Sequence, residues 1–456
     1  MSDRLLFSWN DRPAGVNPHG LRFTGCPPSP AGHWEGALTV LRHRSAVSPL
    51  RRPVPAKSGA AKALRADQRR PLVDEIVRAN RPDEPLHCIR PGVLAAAARA
   101  FVGAFPGDVL YAVKCNPEPA VLRALHAGGV RHFDCASPAE IRLVRQLFPD
   151  AAIHYMHPVK ARSAIRSAWH DQGVRDFSLD SIEELEKILA EIGDPAGLGL
   201  FVRLVPPKAQ TMYDLSGKFG ATPEAAIALL RRARAVAARV GVCFHVGSQC
   251  MEPAAYARAI GLAADVVAEA GVAIDVLDVG GGFPVSYPDV TPPPLGDFMA
   301  AIADAFAASG LPSSCRLWAE PGRALVAPGV SLVVQVQHRR GGELFVNDGV
   351  YGSLSDAGAP GFRFPVRLIR PDGGTERQTA PFVLFGPTCD SADRMAGPFH
   401  LPADVGEGDW IELGQLGAYG GALRTAFNGF DQARLVEVRD RPLLETPGYG
   451  VLAIAA

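Results

Sequence analysis

A lysine amine is the most reactive nucleophile that the sequence places in an apolar setting. Lys114 follows the run VLYAV at 109–113, which indicates a buried strand, so its side chain is expected to enter a pocket at the strand end. Burial penalises the charged form of an amine and is therefore expected to lower the pKa of Lys114. A neutral lysine amine can form a Schiff base with an aldehyde. The alternative, a lysine on the surface, fits poorly with the apolar residues before it.

A glycine run and an arginine in the second half of the chain indicate anion binding. Gly280, Gly281 and Gly282 follow one apolar run, and backbone N–H groups beside glycine can approach an anion closely. Arg323 follows another such run and can add a charge-assisted hydrogen bond. The pattern resembles a phosphate cradle. A tight strand-to-helix turn also requires glycine, so the glycine run alone is weak evidence.

Two further side chains could act on an aromatic ring. Glu320, just before Arg323, could face a pyridine nitrogen and keep it protonated, which makes such a ring an electron sink. His245, in the run VCFHVGS at 242–248, could stack on the ring. A histidine packed in the core is the alternative for His245.

The elements that would position these groups alternate regularly along the chain. Eight β-rich runs lie at 109–116, 132–137, 153–160, 176–181, 198–204, 242–248, 276–282 and 316–323. Helical segments separate them, among them Pro138–Phe148, Ser181–Ile192 and Pro223–Val240, whose apolar residues recur at helical spacing. Strands that are each followed by a helix predict an α/β fold, a closed (β/α)8 barrel of the TIM type.

In such barrels the working residues lie at the carboxyl ends of the strands and in the loops that follow them. This rule brings an amine, a carboxylate, an imidazole, a hydroxyl, a glycine-rich turn and a Glu/Arg pair to one pocket. The residues concerned are Lys114, Asp134, His245, Ser248, Gly280 to Gly282, Glu320 and Arg323.

The sequence pattern changes on both sides of this region. Strand-like runs separated by Gly/Pro turns predict a second, all-β domain, a β-barrel or sandwich; they lie at Val330–Gln337, Glu343–Val346, Val366–Ile369, Phe382–Phe385 and Trp410–Leu413. The predicted domains are a basic, Pro/Gly-rich extension over 1–70, the barrel over 71–328 and the β domain over 329–456. A nucleic-acid-binding arm is the alternative for the extension, but its Lys and Arg residues never form a run of five.

Composition limits the partners and the compartment. Lys+Arg and Asp+Glu are both 47, which argues against a general attraction to nucleic acid or to a membrane. The N-terminus lacks the pattern of a signal peptide, and no apolar stretch of about 18 residues could span a bilayer. The cysteines show no CxxC pair, so neither a metal site nor a disulfide scaffold is expected, and a cytoplasmic location fits best.

A set of short motifs gives a family resemblance over roughly residues 86–435. The motifs are YAVKCN, FDCAS, KFGA, HVGSQC, DVGGGFP, AEPGRALV, NDGVYGSL, GPTCDSADRM and GAYGGALRTAFNGF. Together they resemble the ornithine/diaminopimelate decarboxylase family of barrel-type enzymes, closest to the ornithine/lysine branch. The resemblance implies pyridoxal 5'-phosphate (PLP) as cofactor, an amino-acid substrate and polyamine biosynthesis. It also implies a head-to-tail homodimer in which each active site is completed by the partner subunit.

The resemblance implies a role for each matching residue. Lys114 would be the Schiff-base lysine, Glu320 the partner of the pyridine nitrogen and His245 the group stacked on the ring. The phosphate would be held by Ser248, Gly280, Gly281, Gly282, Gly322, Arg323 and Tyr419. Asp134 and Arg203 would form supporting polar contacts near the lysine.

The substrate side of the site would come from the β domain. The resemblance implies that Cys389, from the other subunit, protonates Cα after carbon dioxide leaves. Asp390 would bind the distal ammonium of the substrate, and Tyr351 and Phe427 would line the substrate site. Cys389 lies in the Gly/Pro-flanked loop GPTCDSAD, where a buried structural cysteine is the alternative.

Two features bear on the choice of substrate. The pair Cys389-Asp390 is typical of the ornithine-type branch, whereas diaminopimelate decarboxylases usually carry glutamate at the second position. Pro360 stands where ornithine-type enzymes place a second aspartate, and the nearby Asp356 is out of register. A basic amino acid or a larger amine-bearing conjugate is therefore expected. A diaminopimelate-type decarboxylase, a barrel-type racemase and a non-catalytic regulatory homologue are the alternatives.

Overall fold

The computed structural model describes residues 69–215, 217–374 and 378–447. The predicted basic extension lies outside the described residues except for Arg69 and Arg70, and so does Cys26. None of the described helices is long and apolar enough to cross a membrane.

Helices and strands alternate through the first two thirds of the described chain. The helices are α1 (Val73–Asn80), α2 (Pro91–Ala104), α3 (Pro119–Ala127), α4 (Pro138–Leu147), α5 (Arg162–Arg166), α6 (Ile182–Ile192), α7 (Pro223–Arg234), α8 (Ala254–Ala270), α9 (Leu295–Ala308) and α10 (Arg323–Val326). The strands up to the last of these helices are β1 (Leu86–Ile89), β2 (Asp108–Ala112), β3 (His132–Cys135), β4 (Ala152–Tyr155), β5 (Asp176–Leu179), β6 (Gly199–Arg203), β7 (Thr211–Tyr213), β8 (Arg239–Cys243), β9 (Ser248–Cys250), β10 (Val276–Asp278) and β11 (Arg316–Ala319). The later strands are β12 (Val330–Arg340), β13 (Glu343–Val346), β14 (Val366–Ile369), β15 (Thr379–Phe385), β16 (Arg394–Pro402), β17 (Trp410–Leu413) and β18 (Arg434–Glu437).

Eight parallel strands close into the predicted barrel. Their order around it is β2-β3-β4-β5-β6-β8-β10-β11, and β11 pairs with β2 to complete the closure. Each strand begins or ends in one of the eight apolar runs identified in the sequence. The (β/α)8 prediction is therefore confirmed, and the carboxyl ends of these strands meet at one mouth of the barrel.

Local signals place the loop after β3 firmly. Ser137 caps α4, because its hydroxyl accepts a hydrogen bond from the N–H of Glu140 at 3.3 Å. The Glu140 carboxylate in turn accepts from the N–H of Ala136 at 2.7 Å, and Pro138 occupies the first helical turn. This capping box fixes the chain directly after Asp134, one of the predicted site residues.

One predicted helix end is wrong. The helix expected over Pro223–Val240 ends at Arg234, and residues 239–243 form the barrel strand β8. Val240 pairs in register with Leu200 of β6 and is fully buried. A short buried strand is apolar throughout, so its residues can extend a helical pattern by chance.

The second domain is a mixed sheet, as predicted. Its main path runs β14-β17-β12-β13-β15-β16, and β1 and β18 extend it beside β12. All five strand runs predicted from the sequence are strands here, while β16 and β18 were missed. Both missed strands mix polar residues, glycine or proline with few apolar ones.

The strand that precedes the barrel in sequence belongs to this second sheet. Leu86–Ile89 pairs antiparallel with Val330–Val333 of β12 and parallel with β18. Helix α1 packs on the same face, since Val73 and Val77 share a buried cluster with Trp410. The domain boundary predicted at 328/329 stays a prediction. The sheet of the second domain also contains residues 86–89, which precede the barrel strands in the sequence.

A buried ion pair holds the end of β1 against the sheet of the second domain. Arg90, directly after β1, is 2% exposed and donates to Glu412 of β17 at 2.8 Å and to Ser331 of β12 at 2.9 Å. Glu412 is 1% exposed and also accepts from Arg367 of β14 at 2.6 Å. One carboxylate therefore pairs with two guanidinium groups and joins three strands to the start of the barrel. A second carboxylate balances each arginine: Asp440 lies 3.3 Å from Arg90, and Asp74 lies 3.0 Å from Arg367.

We predict that Glu412→Gln destabilises the protein by about 3–5 kcal/mol, because it removes the shorter of the two carboxylate contacts of the buried Arg90 and leaves only Asp440 at 3.3 Å. The measurement is the free energy of unfolding from urea titration. The matched control is Glu343→Gln in β13, whose partner Arg340 is exposed, and we expect a loss of about 0–1 kcal/mol there. Equal losses in the two variants would contradict this account of the buried pair.

Candidate active site

Most of the predicted cofactor-site residues meet in one cavity at the carboxyl ends of the strands. Four of the predicted residues do not line it: Asp134, Arg203, Gly280 and Gly281. The cavity is lined by Ala112, Lys114, His245, Ser248, Gly282, Phe283, Glu320, Gly322, Arg323 and Tyr419. Ala112 and Phe283 were not assigned to the site from the sequence, although both lie inside quoted motifs. Tyr419 reaches the barrel from the second domain, and its N–H donates to the carbonyl of Cys115 at 2.8 Å.

Lys114 lies in a single helical turn after β2. The strand ends at Ala112, and residues 113–115 form a short 3-10 turn that directs the lysine into the cavity. Its Nζ donates to Oδ2 of Asp134 at 2.6 Å, and Asp134 aligns with Ala112 on the neighbouring strand β3. Asp134 is 1% exposed, whereas the lysine side chain keeps 42% of its surface accessible within the cavity.

The expectation of a lowered lysine pKa is wrong. Burial lowers the pKa of Lys114, but the charge and the hydrogen bond of the Asp134 carboxylate raise it by more, so the net pKa lies well above the ordinary value. The amine therefore rests as an ammonium ion. It must lose a proton before it can attack a carbonyl carbon.

His245 follows β8 as an uncharged ring. The N–H of Gly247 donates to its Nδ1 at 3.1 Å, which leaves a proton for Nε2 only. Burial, together with the positive charges of Arg203 and Lys114, lowers the pKa of His245 to about 3. A methyl group on Gly281 would lie 3.1 Å from Nε2, so only glycine leaves the ring edge free. The ring can stack on a ligand but cannot serve as an acid near neutral pH.

Glu320 follows β11 and retains a proton. Burial, together with the neighbouring carboxyl groups of Asp278 and Asp134, raises the pKa of Glu320 well above its ordinary value. Asp278 lies at the end of β10, and burial raises its pKa to about 6 although the N–H of Gly280 donates to it at 2.8 Å. Glu320 can therefore deliver a proton to a basic ring nitrogen placed against it.

Arg323 is buried at the other end of the cavity. Its Nη1 donates to the hydroxyl of Tyr287 at 2.9 Å and its Nη2 to Oδ2 of Asp356 at 3.1 Å. The guanidinium carbon lies 4.8 Å from the ring centre of Phe362 and 5.3 Å from that of Tyr419. Its Nε is buried and has no hydrogen-bond partner within the described chain. Sequence reasoning missed the contacts of Tyr287 and Asp356, because both come from loops that only the folded chain brings to Arg323.

The glycine run lies between these two ends. Gly280 and Gly282 have φ values of +68° and +103°, which side chains rarely adopt. A Cβ atom on Gly280 would overlap the carbonyl oxygen of Phe244. The run therefore brings bare backbone up to the cavity, as the sequence predicts for an anion cradle.

The predicted substrate residues form a separate cluster on loops of the second domain, which we call the cysteine cluster: Tyr351, Cys389, Asp390 and Phe427. Tyr351 donates its hydroxyl to Oδ2 of Asp390, and its ring centre lies 4.9 Å from that of Phe427. The N–H of Cys389 donates to Asn428 at 3.1 Å. The structure brings these four residues together, but none of them lines the cavity of Lys114 in the same chain.

Comparison with known families gives matches over most of the described chain. Residues 92–327 match the family described as "Pyridoxal-dependent decarboxylase, pyridoxal binding domain". Residues 325–417 match "Pyridoxal-dependent decarboxylase, C-terminal sheet domain". The two matches meet where the barrel gives way to the sheet.

Individual proteins of known sequence and structure are similar over nearly their full length. The lysine/ornithine decarboxylase of Selenomonas ruminantium is 33% identical over 343 residues, which cover 73% of this chain and 84% of that protein. The structure of the Vibrio vulnificus lysine/ornithine decarboxylase complexed with putrescine has a TM-score of 0.69 at 35% identity and covers 80% of this chain and 97% of that one. The Paramecium bursaria Chlorella virus arginine decarboxylase bound to agmatine has a TM-score of 0.71 at 30% identity, over 80% of this chain and 99% of that one.

The cavity fits pyridoxal phosphate in charge and in chemistry. The partnerless Nε of Arg323 and the bare backbone at Gly280 and Gly282 suit a phosphate. The protonated carboxyl group of Glu320 suits a pyridine nitrogen. The amine of Lys114 suits an aldehyde carbon.

We predict that Asp134→Asn moves cofactor uptake to lower pH. Asp134 stabilises the ammonium form of Lys114, so its removal lowers the lysine pKa and makes more neutral amine available at a given pH. The measurement is the visible absorbance that develops when apoprotein is mixed with pyridoxal phosphate across a pH series, with Lys114→Ala as the blank. Asp150→Asn, an exposed carboxylate, is the control and should match the wild type. An unchanged or higher pH of uptake in Asp134→Asn would refute this role.

Proposed function

The chain belongs to the pyridoxal-dependent decarboxylase family and is a PLP-dependent amino-acid decarboxylase, and we propose that its substrate is a basic amino acid with a distal amine. The observation that carries the proposal is the placement of Asp390 beside Cys389. Its side chain is half-buried, and its carboxylate is oriented by the N–H of Ala392 at 2.9 Å and by the hydroxyl of Tyr351. These hydrogen bonds lower the pKa of Asp390, so it is charged at neutral pH and attracts an ammonium group.

Pyridoxal phosphate supplies an electron sink for the electron pair that remains at Cα when carbon dioxide leaves. Lys114 would hold the cofactor through its Nζ. Asp134 accepts the hydrogen bond of Nζ and keeps the lysine in place between turnovers. Arg203 adds positive charge beside His245 and Glu320.

The other cavity residues are proposed to orient the cofactor. Glu320 places a proton at the ring nitrogen, and His245 stacks on the ring face as a neutral imidazole. The phosphate is proposed to be held by Ser248, Gly280, Gly281, Gly282, Gly322, Arg323 and Tyr419. Both ends of the cofactor would thus meet groups of complementary charge.

We propose that the active site is completed by a second copy of the chain. The cysteine cluster does not line its own chain's cavity, and Cys389 is exposed. The segment that contains its partner Asn428 carries three exposed apolar side chains, Leu423, Phe427 and Phe430, at 49%, 44% and 45%, which a partner subunit would cover. In the proposed head-to-tail homodimer, the partner subunit's Cys389 gives its thiol proton to Cα, and the partner subunit's Asp390 binds the distal ammonium.

The product and the compartment follow from the same proposal. Loss of carbon dioxide from such a substrate leaves a diamine, which suits a role in polyamine biosynthesis. The cysteines 88, 115, 135, 243, 250, 315 and 389 are all free in the structure. Free cysteines in this number favour a reducing compartment, and we propose the cytoplasm.

We predict that inactive Lys114→Ala and inactive Cys389→Ala chains restore activity when mixed. A mixed dimer has one site with Lys114 from one chain and Cys389 from the other, and about half of randomly formed dimers are mixed, so recovery approaches about a quarter of wild-type activity. The measurement is carbon dioxide release after subunit exchange, which differently tagged chains verify. Mixing Lys114→Ala with Glu320→Gln is the control, because both residues line the cavity of the same chain, so each cavity of a mixed dimer carries one substitution and neither site is intact.

That control should not recover activity, and neither should the double variant Lys114→Ala/Cys389→Ala mixed with Lys114→Ala. Failure of the first mixture despite verified exchange, or equal recovery in the control mixture, would contradict shared sites.

We predict that Asp390→Ala lowers kcat/KM for lysine and ornithine about tenfold to a hundredfold, because it removes a charged hydrogen-bond partner of the distal ammonium. Norvaline, a neutral analogue, should be a poor substrate for both forms and lose little. The wild type should discriminate weakly between ornithine, lysine and arginine, since Pro360 stands in place of a second carboxylate. Steady-state kinetics of carbon dioxide release decide this.

The matched control is Asp431→Ala, an exposed carboxylate of the same domain, which should leave kcat/KM unchanged. A strong preference for ornithine alone would overturn the specificity proposal, and so would equal use of norvaline.

A further inference from the structure

A buried carboxylate stands behind the arginine at the phosphate end of the cavity. Asp356 is 6% exposed and does not line the cavity itself. Its Oδ2 accepts from Nη2 of Arg323 at 3.1 Å, and its Oδ1 accepts from the hydroxyl of Tyr213 at 2.8 Å. Both oxygens are thus used, so Asp356 offers no free carboxylate to a substrate ammonium group.

The backbone holds Asp356 in this position. It lies in the 3-10 turn Ser355–Ala357, and its carbonyl accepts from the N–H of Phe362 at 2.9 Å. The same contact brings the ring of Phe362 over the guanidinium group of Arg323. The turn therefore supplies the carboxylate. Its backbone also holds Phe362, one of the two rings next to the arginine.

The contacts of Arg323 leave one edge of the guanidinium group for a ligand. Nη1 donates one hydrogen to Tyr287 and Nη2 one to Asp356, and the rings of Phe362 and Tyr419 lie near the guanidinium group. Nε remains, nine-tenths buried with its side chain and without a partner in the described chain. Rotation of the guanidinium group would break the bond to Asp356, so the orientation of Nε depends on that carboxylate.

We infer that Asp356 is a positioning residue for the cofactor phosphate: it fixes Arg323 so that Nε faces the phosphate oxygens. The inference rests on the proposed assignment of Arg323 to the phosphate. Asp356 also offsets the charge of Arg323, so the cradle binds a phosphate by oriented donors rather than by an excess of positive charge. If Asp356 acts by positioning Arg323, its removal weakens binding of the cofactor phosphate. If it acted only through its negative charge, its removal would strengthen that binding. Two substitutions separate these effects.

Asp356→Ala removes the acceptor and lets Arg323 rotate. Its dissociation constant for pyridoxal phosphate, measured by equilibrium dialysis of the apoprotein, should rise roughly tenfold, as expected for a lost hydrogen bond to a charged group. Asp356→Asn keeps an acceptor for Nη2, and its amide can donate to the Tyr213 hydroxyl, so the arginine stays in place while one negative charge is lost. Its dissociation constant should equal that of the wild type or lie below it.

The phosphorus resonance of the bound cofactor reports the same event without relying on activity. It should shift in Asp356→Ala, where the donor at Nε moves, more than in Asp356→Asn. Asp289→Ala, which breaks the exposed ion pair with Arg363 on the neighbouring loop, is the matched control and should change neither the affinity nor the resonance.

Wild-type affinity and an unshifted phosphorus signal in Asp356→Ala would overturn the inference, and so would equal losses in the Ala and Asn variants. Arg323→Ala distinguishes this failure from failure of the site assignment. If Arg323→Ala binds the cofactor normally, the arginine does not hold the phosphate. If Arg323→Ala weakens binding and Asp356→Ala does not, only the positioning role is lost.

Discussion

The balance of charge inside the barrel mouth is the constraint on which the rest of the site depends. Lys114 can stay in the cavity as an ammonium ion because Asp134 lies 2.6 Å from it, and Glu320 can stay there because it holds a proton. A barrel that placed either group without its neighbours would have to bury an uncompensated charge, which costs several kcal/mol. Closure of the sheet between β11 and β2 brings together groups that are some two hundred residues apart. The same closure allows a single cofactor to meet an amine, an acid and an anion cradle at once.

The second domain contributes residues to two separate surfaces, the cavity of Lys114 and the cysteine cluster. Tyr419 reaches the cavity from that domain and helps to enclose Arg323. The cysteine cluster of the same domain does not line that cavity, and its Cys389 and Phe427 are exposed. The ion pair of Arg90 and Glu412 joins this sheet to the start of the barrel. The separation of the cysteine cluster from the cavity of its own chain is why we propose that a partner subunit completes the site.

Much of the fold could be predicted from the sequence, because buried parallel strands read as short apolar runs. The residues of the cavity could be predicted as well, since Lys114, His245, Glu320 and Arg323 each follow such a run. The strand Leu86–Ile89 shows the limit of this reasoning: a run of four residues does not reveal that its partner strand follows the whole barrel in the sequence. The pKa of Lys114 shows another limit, since the Asp134 carboxylate rather than burial decides its direction. In the sequence, Asp356 is only an acid near position 360, where a second aspartate is expected. Its inferred role depends on contacts with Arg323 and Tyr213 that form only when the loops fold.

The central claim is that Lys114 carries the cofactor. It is tested most directly by reducing the holoprotein with borohydride, which fixes the cofactor covalently on the lysine that holds it, and by mapping the modified peptide with mass spectrometry. The account predicts a single pyridoxyl group on the peptide that contains Lys114. Modification of another lysine, such as the buried Lys160, or the absence of any modified peptide from holoprotein would contradict it.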